Sequence, residues 1–193
     1  MARWPAPARC KSRLAQSIGT RRAAAVQQRL QAHALAVLQL VQAQQGCTVR
    51  LALAGVGHRG GARLLGSASV ELVLQGGGSL GLRMQRQFAL AFRQGYRQVV
   101  LIGSDLPELA ASDIQAAFAG LEHAPAVLAP AHDGGYWLVG LAQPAPRLFA
   151  GIDWGTSRVM AQSCQRAEQL GLALRRLHGQ ADLDLGRDLE RWR

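Results

Sequence analysis

The stretch Gln98-Val99-Val100-Leu101-Ile102-Gly103-Ser104-Asp105-Leu106-Pro107 decides how this chain is read. Four consecutive apolar residues behind Gln98 predict a strand over 98–102, of the kind buried on both faces of a parallel sheet. Gly103 lets the backbone approach a ligand closely, and Pro107 stiffens the exit. Asp105 therefore stands at the carboxyl end of a strand, where open α/β sheets hold their ligands. A carboxylate there can share a hard divalent cation with phosphate oxygens, or it can simply cap the following turn.

Strands and helices alternate outward from this point. A helix is expected from Thr20, as its cap, to about Gln45, with Gly46 ending it; Ala23, Val26, Leu30, Ala34, Val37, Leu38 and Val41 recur at three and four residues. Strands are expected over 49–54, 70–74, 126–129, 136–141 and 173–177. Helices are expected over 80–93, 112–121, 156–170 and 185–192, while 1–13 reads as loop because Pro5 and Pro7 exclude a helix. This alternation indicates an α/β fold: a three-layer α/β/α arrangement around a mostly parallel sheet. Before the first loop only a stub of strand fits in Met1-Ala2-Arg3-Trp4, so either the natural start lies upstream or the sheet lacks a central strand; the first is the expectation.

With 193 residues, 49% hydrophobic and 18% charged, the chain suits one domain over 1–193 rather than a disordered segment. No apolar run approaches the roughly 18–20 residues of a membrane helix, and no signal-peptide core is present, so a cytoplasmic location is expected. Cys10, Cys47 and Cys164 form neither a disulfide framework nor a zinc pattern. His33, His58, His123 and His178 lack partners at ligand spacing. The formal charge is +10, and its excess is local: Glu71 is the first acidic residue, and ten Lys or Arg precede it. Such a field draws anions such as nucleotide phosphates, nucleic acid or an acidic partner. Trp4 is the only aromatic residue before Glu71, which argues against an RNA surface built on stacking.

Three further segments carry chemistry. Arg9, Lys11 and Arg13 set three cations before a helix, and Lys11 is the only lysine of the chain. An ammonium flanked by guanidiniums suits phosphate. Asp133-Gly134-Gly135-Tyr136-Trp137 follows the strand over 126–129. It reads either as a plain hairpin turn or as a second carboxylate, Asp133, beside glycines that leave room for a sugar or base, with Tyr136 or Trp137 as a wall. Trp154 and Thr156 precede a helix that Thr156 can cap. Gly76-Gly77-Gly78 can hold a base or sugar, but lacks Gly-x-Gly-x-x-Gly spacing and a Walker lysine. The carboxylates of Asp182-Leu183-Asp184 and Asp188 read as capping for the last helix.

Taken together, Lys11-Ser12-Arg13-Leu14, Gln75-Gly76-Gly77-Gly78, Gly103-Ser104-Asp105, Asp133-Gly134-Gly135-Tyr136, Trp154-Gly155-Thr156 and Asp182-Leu183-Asp184 make the chain resemble a bacterial family. That family comprises arsenosugar-biosynthesis-type glycosyltransferases of the nucleotide-diphospho-sugar transferase superfamily, which are GT-A-like and long classed as a domain of unknown function. The resemblance implies a Rossmann-like sheet and a nucleotide or nucleotide-sugar donor held through Mg²⁺ or Mn²⁺, with transfer to a small-molecule acceptor. It implies Asp105 and Asp133 as catalytic, metal-holding carboxylates. Arg9, Lys11, Arg13, Gly103, Ser104, Gly134, Gly135, Tyr136, Trp154 and Thr156 then bind substrate. Ala8 stands where the family usually has glycine, Ser12 replaces threonine, and Ser79 and Leu82 replace an Asp and a Glu. A nucleotidyltransferase acting on a phosphorylated metabolite is the alternative chemistry, and a non-catalytic nucleotide- or nucleic-acid-binding protein is the alternative class. Donor, acceptor and oligomeric state are left open by the sequence.

Overall fold

In a computed structural model, residues 1–55 and 70–192 are described. The sequence also reads as a glycine-rich loop from Gly55 to Gly61 after the strand expected over 49–54, and of that loop only Gly55 falls among the described residues. The described chain groups into two compact units. Unit 1 comprises 1–74, 103–111 and 182–193, and unit 2 comprises 75–102 and 112–181.

Unit 1 holds a parallel three-stranded sheet in the order β1 (Ala2–Arg3), β2 (Arg50–Ala54), β3 (Glu71–Leu74). The expected stub is real as a strand: Ala2 pairs with Leu53 and Arg3 with Ala54. Two helices follow one another, α1 (Ser12–Ile18) and α2 (Thr20–Gln45). The first lies where a loop was expected up to residue 13; at seven residues it is too short for periodicity to reveal. Gly19, at φ 81°, separates the two, so Thr20 is the first residue of α2 and not its cap. Gly46 ends α2 in the left-handed conformation, as glycine does at a C-cap. One apolar cluster joins Ala2, Val49, Leu51, Leu53 and Val70, and another joins Leu14, Ala23, Leu30 and Leu183.

Unit 2 holds a four-stranded sheet in the order β4 (Val99–Ile102), β6 (Tyr136–Leu141), β5 (Ala126–Pro130), β7 (Leu174–Arg176). Here the parallel reading of residues 98–102 needs correction: β4 pairs antiparallel with β6, and three of its four residues are only half-buried. The hairpin from β5 folds β6 back against the direction of its neighbours and inserts it between β4 and β5. Gly140 makes that central place possible, since a Cβ there would lie 2.6 Å from Val127 Cγ2. With β1–β2, β2–β3 and β5–β7 parallel, the pairing is mostly parallel, as expected. The helices of this unit are α3 (Leu80–Arg93), α4 (Ala111–Leu121, entered from unit 1) and α5 (Val159–Gln169), with a 3₁₀ turn at Pro146–Phe149. A final short helix, α6 (Asp188–Arg191), closes unit 1. Phe88 of α3 stacks on Phe149 at 5.6 Å between ring centroids. Among the described residues no helix is long and apolar enough to cross a membrane.

Candidate active site

The buried face of α2 is not purely the apolar stripe that its sequence suggests. Gln27 and Gln31 are buried with Ala23, Ala24, Leu30, Ala34 and Val41. Gln31 donates to the Arg3 carbonyl at 2.5 Å, tying α2 to β1. Gln27 reaches the loop after β4: its Nε2 donates to Asp105 Oδ1 at 3.0 Å and to Ser104 Oγ at 3.3 Å. Ser104 Oγ in turn lies 3.4 Å from Asp105 Oδ1. One oxygen of Asp105 is thereby fixed by neutral donors.

The other oxygen faces Lys11. The ammonium lies 3.2 Å from Asp105 Oδ2 and 2.9 Å from Asp184 Oδ1, and donates to the Leu183 carbonyl at 2.6 Å. An ammonium has three donors, so all three are committed. The lysine side chain is 2% exposed, whereas the carboxylates are 40% and 38% exposed. The lysine expected in a phosphate-seeking loop is thus a buried counter-ion of two carboxylates that open toward solvent. Its backbone is left-handed (φ 49°, ψ 47°), immediately before α1. Ala8 also has positive φ, 60°, a conformation that glycine adopts more readily than alanine. Cys10, buried between them, donates to the Ala6 carbonyl at 3.4 Å; burial raises its thiol pKa, so it is poorly suited as a nucleophile.

Asp184 and Gln27 are the members of this cluster that sequence reading missed. Asp184 was visible only as part of a capping run. The expected capping is not what Asp188 does: the cap position of α6 is Arg187, with no side-chain cap bond. Asp188 instead accepts from the backbone N–H of Asp184 and Leu185, ahead of the helix, at 2.9 and 2.7 Å. It shapes the turn and leaves Asp184 free to face Lys11. Leu183 N–H donates to the Asp105 carbonyl at 2.9 Å, so the two acidic segments are joined through the main chain as well. Arg9 and Arg13 are exposed, and among the described residues neither forms an ion pair. Gly103 and Ser104 are half-buried in the same loop as Asp105.

In unit 2, Asp133, Gly134 and Gly135 form the β5–β6 turn, so the hairpin reading of this segment holds. Asp133 Oδ1 accepts from Gly135 N–H at 2.8 Å. The room expected beside Gly134 is taken: a Cβ there would lie 2.7 Å from Ser157 Cα, and the Gly134 carbonyl accepts from Met160 N–H. That glycine seats the turn on the start of α5. Tyr136 meets Trp154 edge-on, with 6.1 Å between centroids, and burial holds its phenol well above the ordinary pKa. The indole of Trp154 lies against Gly81 of α3, where a Cβ would come within 2.6 Å of Nε1. Trp137 is buried. Thr156 does not cap α5, which begins at Val159 with Arg158 at its cap position and no side-chain cap bond. Its hydroxyl donates to the Asp153 carbonyl at 2.8 Å and accepts from Arg158 N–H at 3.3 Å, closing the turn ahead of the helix. The glycine loop before α3 is held by arginines. Arg86 donates to the Gln75 and Gly77 carbonyls and Arg83 to Gly78, while Ser79 caps the helix through Leu82 N–H.

Asp105 and Asp133 thus belong to different units, and each is engaged within its own. Among the described residues no three His, Cys, Asp or Glu side chains converge as a metal-holding group. A hard cation that takes only one or two carboxylates and completes its shell from phosphate and water needs no such group. Asp105 and Asp184 are two carboxylates, each partly open to solvent, on one ammonium.

A family described as "Uncharacterized protein conserved in bacteria (DUF2064)" matches residues 37–156. The chain belongs to this family. The DUF2064 match spans Asp105, Asp133, Tyr136, Trp154 and Thr156, while Lys11 and Asp184 lie outside it. No curated protein matches the chain. Among solved structures, one from Desulfovibrio desulfuricans G20, described as a "putative nucleotide-diphospho-sugar transferase", is 28% identical with a TM-score of 0.85. That match covers 95% of this chain and 80% of the other. A manganese complex of Rv0371C from Mycobacterium tuberculosis H37Rv is 16% identical, with a TM-score of 0.51 over 82% of this chain and 84% of that one. A CMP:2-keto-3-deoxy-manno-octonic acid synthetase complexed with CTP is 10% identical, with a TM-score of 0.50 over 75% of this chain and 78% of the other. This DUF2064 member has the nucleotide-diphospho-sugar transferase fold.

Proposed function

We propose that this chain is a transferase acting on a nucleotide-sugar donor with a divalent cation, Mg²⁺ or Mn²⁺, held at Asp105. The observation that carries this reading is the Asp105 carboxylate itself: half open, fixed on one oxygen by Gln27 and balanced on the other by Lys11. The reading draws support from the Desulfovibrio protein, from the manganese complex of the mycobacterial protein, and from the resemblance to arsenosugar-type glycosyltransferases. When bound, the cation supplies positive charge opposite the departing diphosphate. The chain's own residues do the rest. Gln27, Ser104 and Lys11 hold the carboxylate in place, and the exposed Arg9 and Arg13 draw phosphate oxygens. In the transfer, the bond between the anomeric carbon and the diphosphate oxygen breaks, a nucleophilic oxygen of a small acceptor forms the new bond, and the acceptor's proton leaves to solvent. Gly134, Gly135, Tyr136, Trp154 and Thr156 are assigned to substrate binding on the resemblance, which also makes Asp133 a catalytic carboxylate, and Asp133→Ala tests that assignment separately. The experiment is calorimetric titration of a nucleotide-sugar panel into the protein with Mg²⁺ or Mn²⁺, repeated with Asp105→Asn. At least one donor should bind, and the variant should lose about tenfold or more in affinity. Binding of no donor, or equal binding by the variant, rejects the reading.

A second chemistry is favoured by one observation, the fold shared with a CTP-bound synthetase. In that case the same carboxylate serves nucleotidyl transfer to a phosphorylated metabolite. Pyrophosphate released from a nucleoside triphosphate only in the presence of a sugar phosphate would decide for it.

A further inference from the structure

The geometry around Lys11 is more specific than a phosphate-seeking loop requires. A lysine placed to catch a phosphate projects its ammonium into solvent. Here the backbone adopts a left-handed conformation rarely used by residues with a side chain, and the chain turns the ammonium inward. Its three donors meet Leu183 O, Asp184 Oδ1 and Asp105 Oδ2, and the side chain is almost fully buried. The two carboxylates come from loops far apart in sequence and are joined by the Leu183–Asp105 main-chain bond. Two carboxylates and one ammonium leave a formal charge of −1, half of what would match a divalent cation.

We infer that Lys11 is the resident cation of the Asp105–Asp184 pair and lowers the pair's affinity for a free divalent cation, so that a metal is held only together with the anionic phosphates of the substrate. Asp184 is the second carboxylate of the site. This rests on the metal–nucleotide reading above. Without the ammonium the pair would carry −2 and bind the metal alone, with no nucleotide present. With it, the remaining positive charge of the cation needs substrate oxygens as partners, which ties metal retention to substrate occupancy. Gln27 contributes by fixing Asp105 Oδ1 through a neutral donor, without adding a second positive charge.

The test is titration of Mn²⁺ alone into the full chain, followed by the electron paramagnetic resonance signal of free Mn²⁺. Wild type, Lys11→Met and Asp184→Asn are compared, each checked for native circular dichroism. Wild type should bind Mn²⁺ weakly. Lys11→Met should bind it about tenfold more tightly or better, the scale of removing one unit charge at ion-pair distance from a half-exposed site. Asp184→Asn should bind several-fold more weakly. If Lys11→Met is folded and binds Mn²⁺ no better than wild type, the inference is overturned while the function above stands. If Lys11→Met does not fold, Asp184→Asn decides: unchanged Mn²⁺ affinity overturns the inference, and the loss supports it. If wild type binds Mn²⁺ neither alone nor with UDP, GDP, CDP or ADP, the metal reading and this inference fall together.

Discussion

At the scale of single residues, two backbone positions near the carboxylate cluster are held against their intrinsic preference. Ala8 and Lys11 both have positive φ, a conformation that disfavours a Cβ by about 1–2 kcal/mol. Lys11 is compensated by three polar partners, whereas Ala8 is an exposed loop residue. Ala8→Gly should therefore stabilise the chain by up to about 1 kcal/mol, because strain relief exceeds the added entropy of the unfolded chain. A rise of roughly 2–4 °C in thermal midpoint would be the sign of it, and a fall would refute the strain argument. Gly134 is the opposite case. It combines φ 88° with a backbone neighbour that leaves no room for a methyl group. Gly134→Ala should cost about 3 kcal/mol or more in urea unfolding, and a near-neutral effect would mean that the turn does not seat on the start of α5.

At the scale of elements, α2 does two jobs along one face. Leu30, Ala23 and Val41 pack apolar surface, while Gln27 orients the carboxylate of a loop that follows a strand 72 residues later in sequence (99 − 27 = 72). Gln27→Ala should cost about 1–3 kcal/mol, since Asp105 loses a buried donor. Gln27→Glu should cost more than Gln27→Ala, because it sets a carboxylate against Asp105. Comparing the two by chemical denaturation checks the claim; equal losses would show that Gln27 acts only as packing. In unit 2, α3 and the Pro146–Phe149 turn are joined by the Phe88–Phe149 stack.

At the scale of the whole molecule, the neutral forms of Tyr136, Cys10 and Cys47 are all favoured by burial, with each pKa raised above its ordinary value. In the unfolded chain these groups release their protons first. Above their ordinary values of 9.0 for the thiols and 10.0 for the phenol, the unfolded state therefore binds fewer protons, and stability falls as pH rises. The urea midpoint should drop between pH 8 and pH 11, and Tyr136→Phe should flatten the portion above pH 10. A midpoint that stays level over this range would contradict the burial of these groups.

The sequence by itself determined the class of fold and the position of most elements. These depend on period, on Gly46 as a helix stop, and on the turn residues between elements, all of which are local. Tertiary structure decided what local signals do not carry. The direction of β4 depends on β6, which the turn at Asp133–Gly135 folds back beside it, and an apolar tetrapeptide looks alike in either direction. The place of Gly134 depends on Ser157, from another element. Above all, Lys11 meets Asp184 across 173 residues and Asp105 across 94 (105 − 11 = 94). Charge attraction has no sequence period, so only the folded chain shows that its single lysine faces inward to two carboxylates.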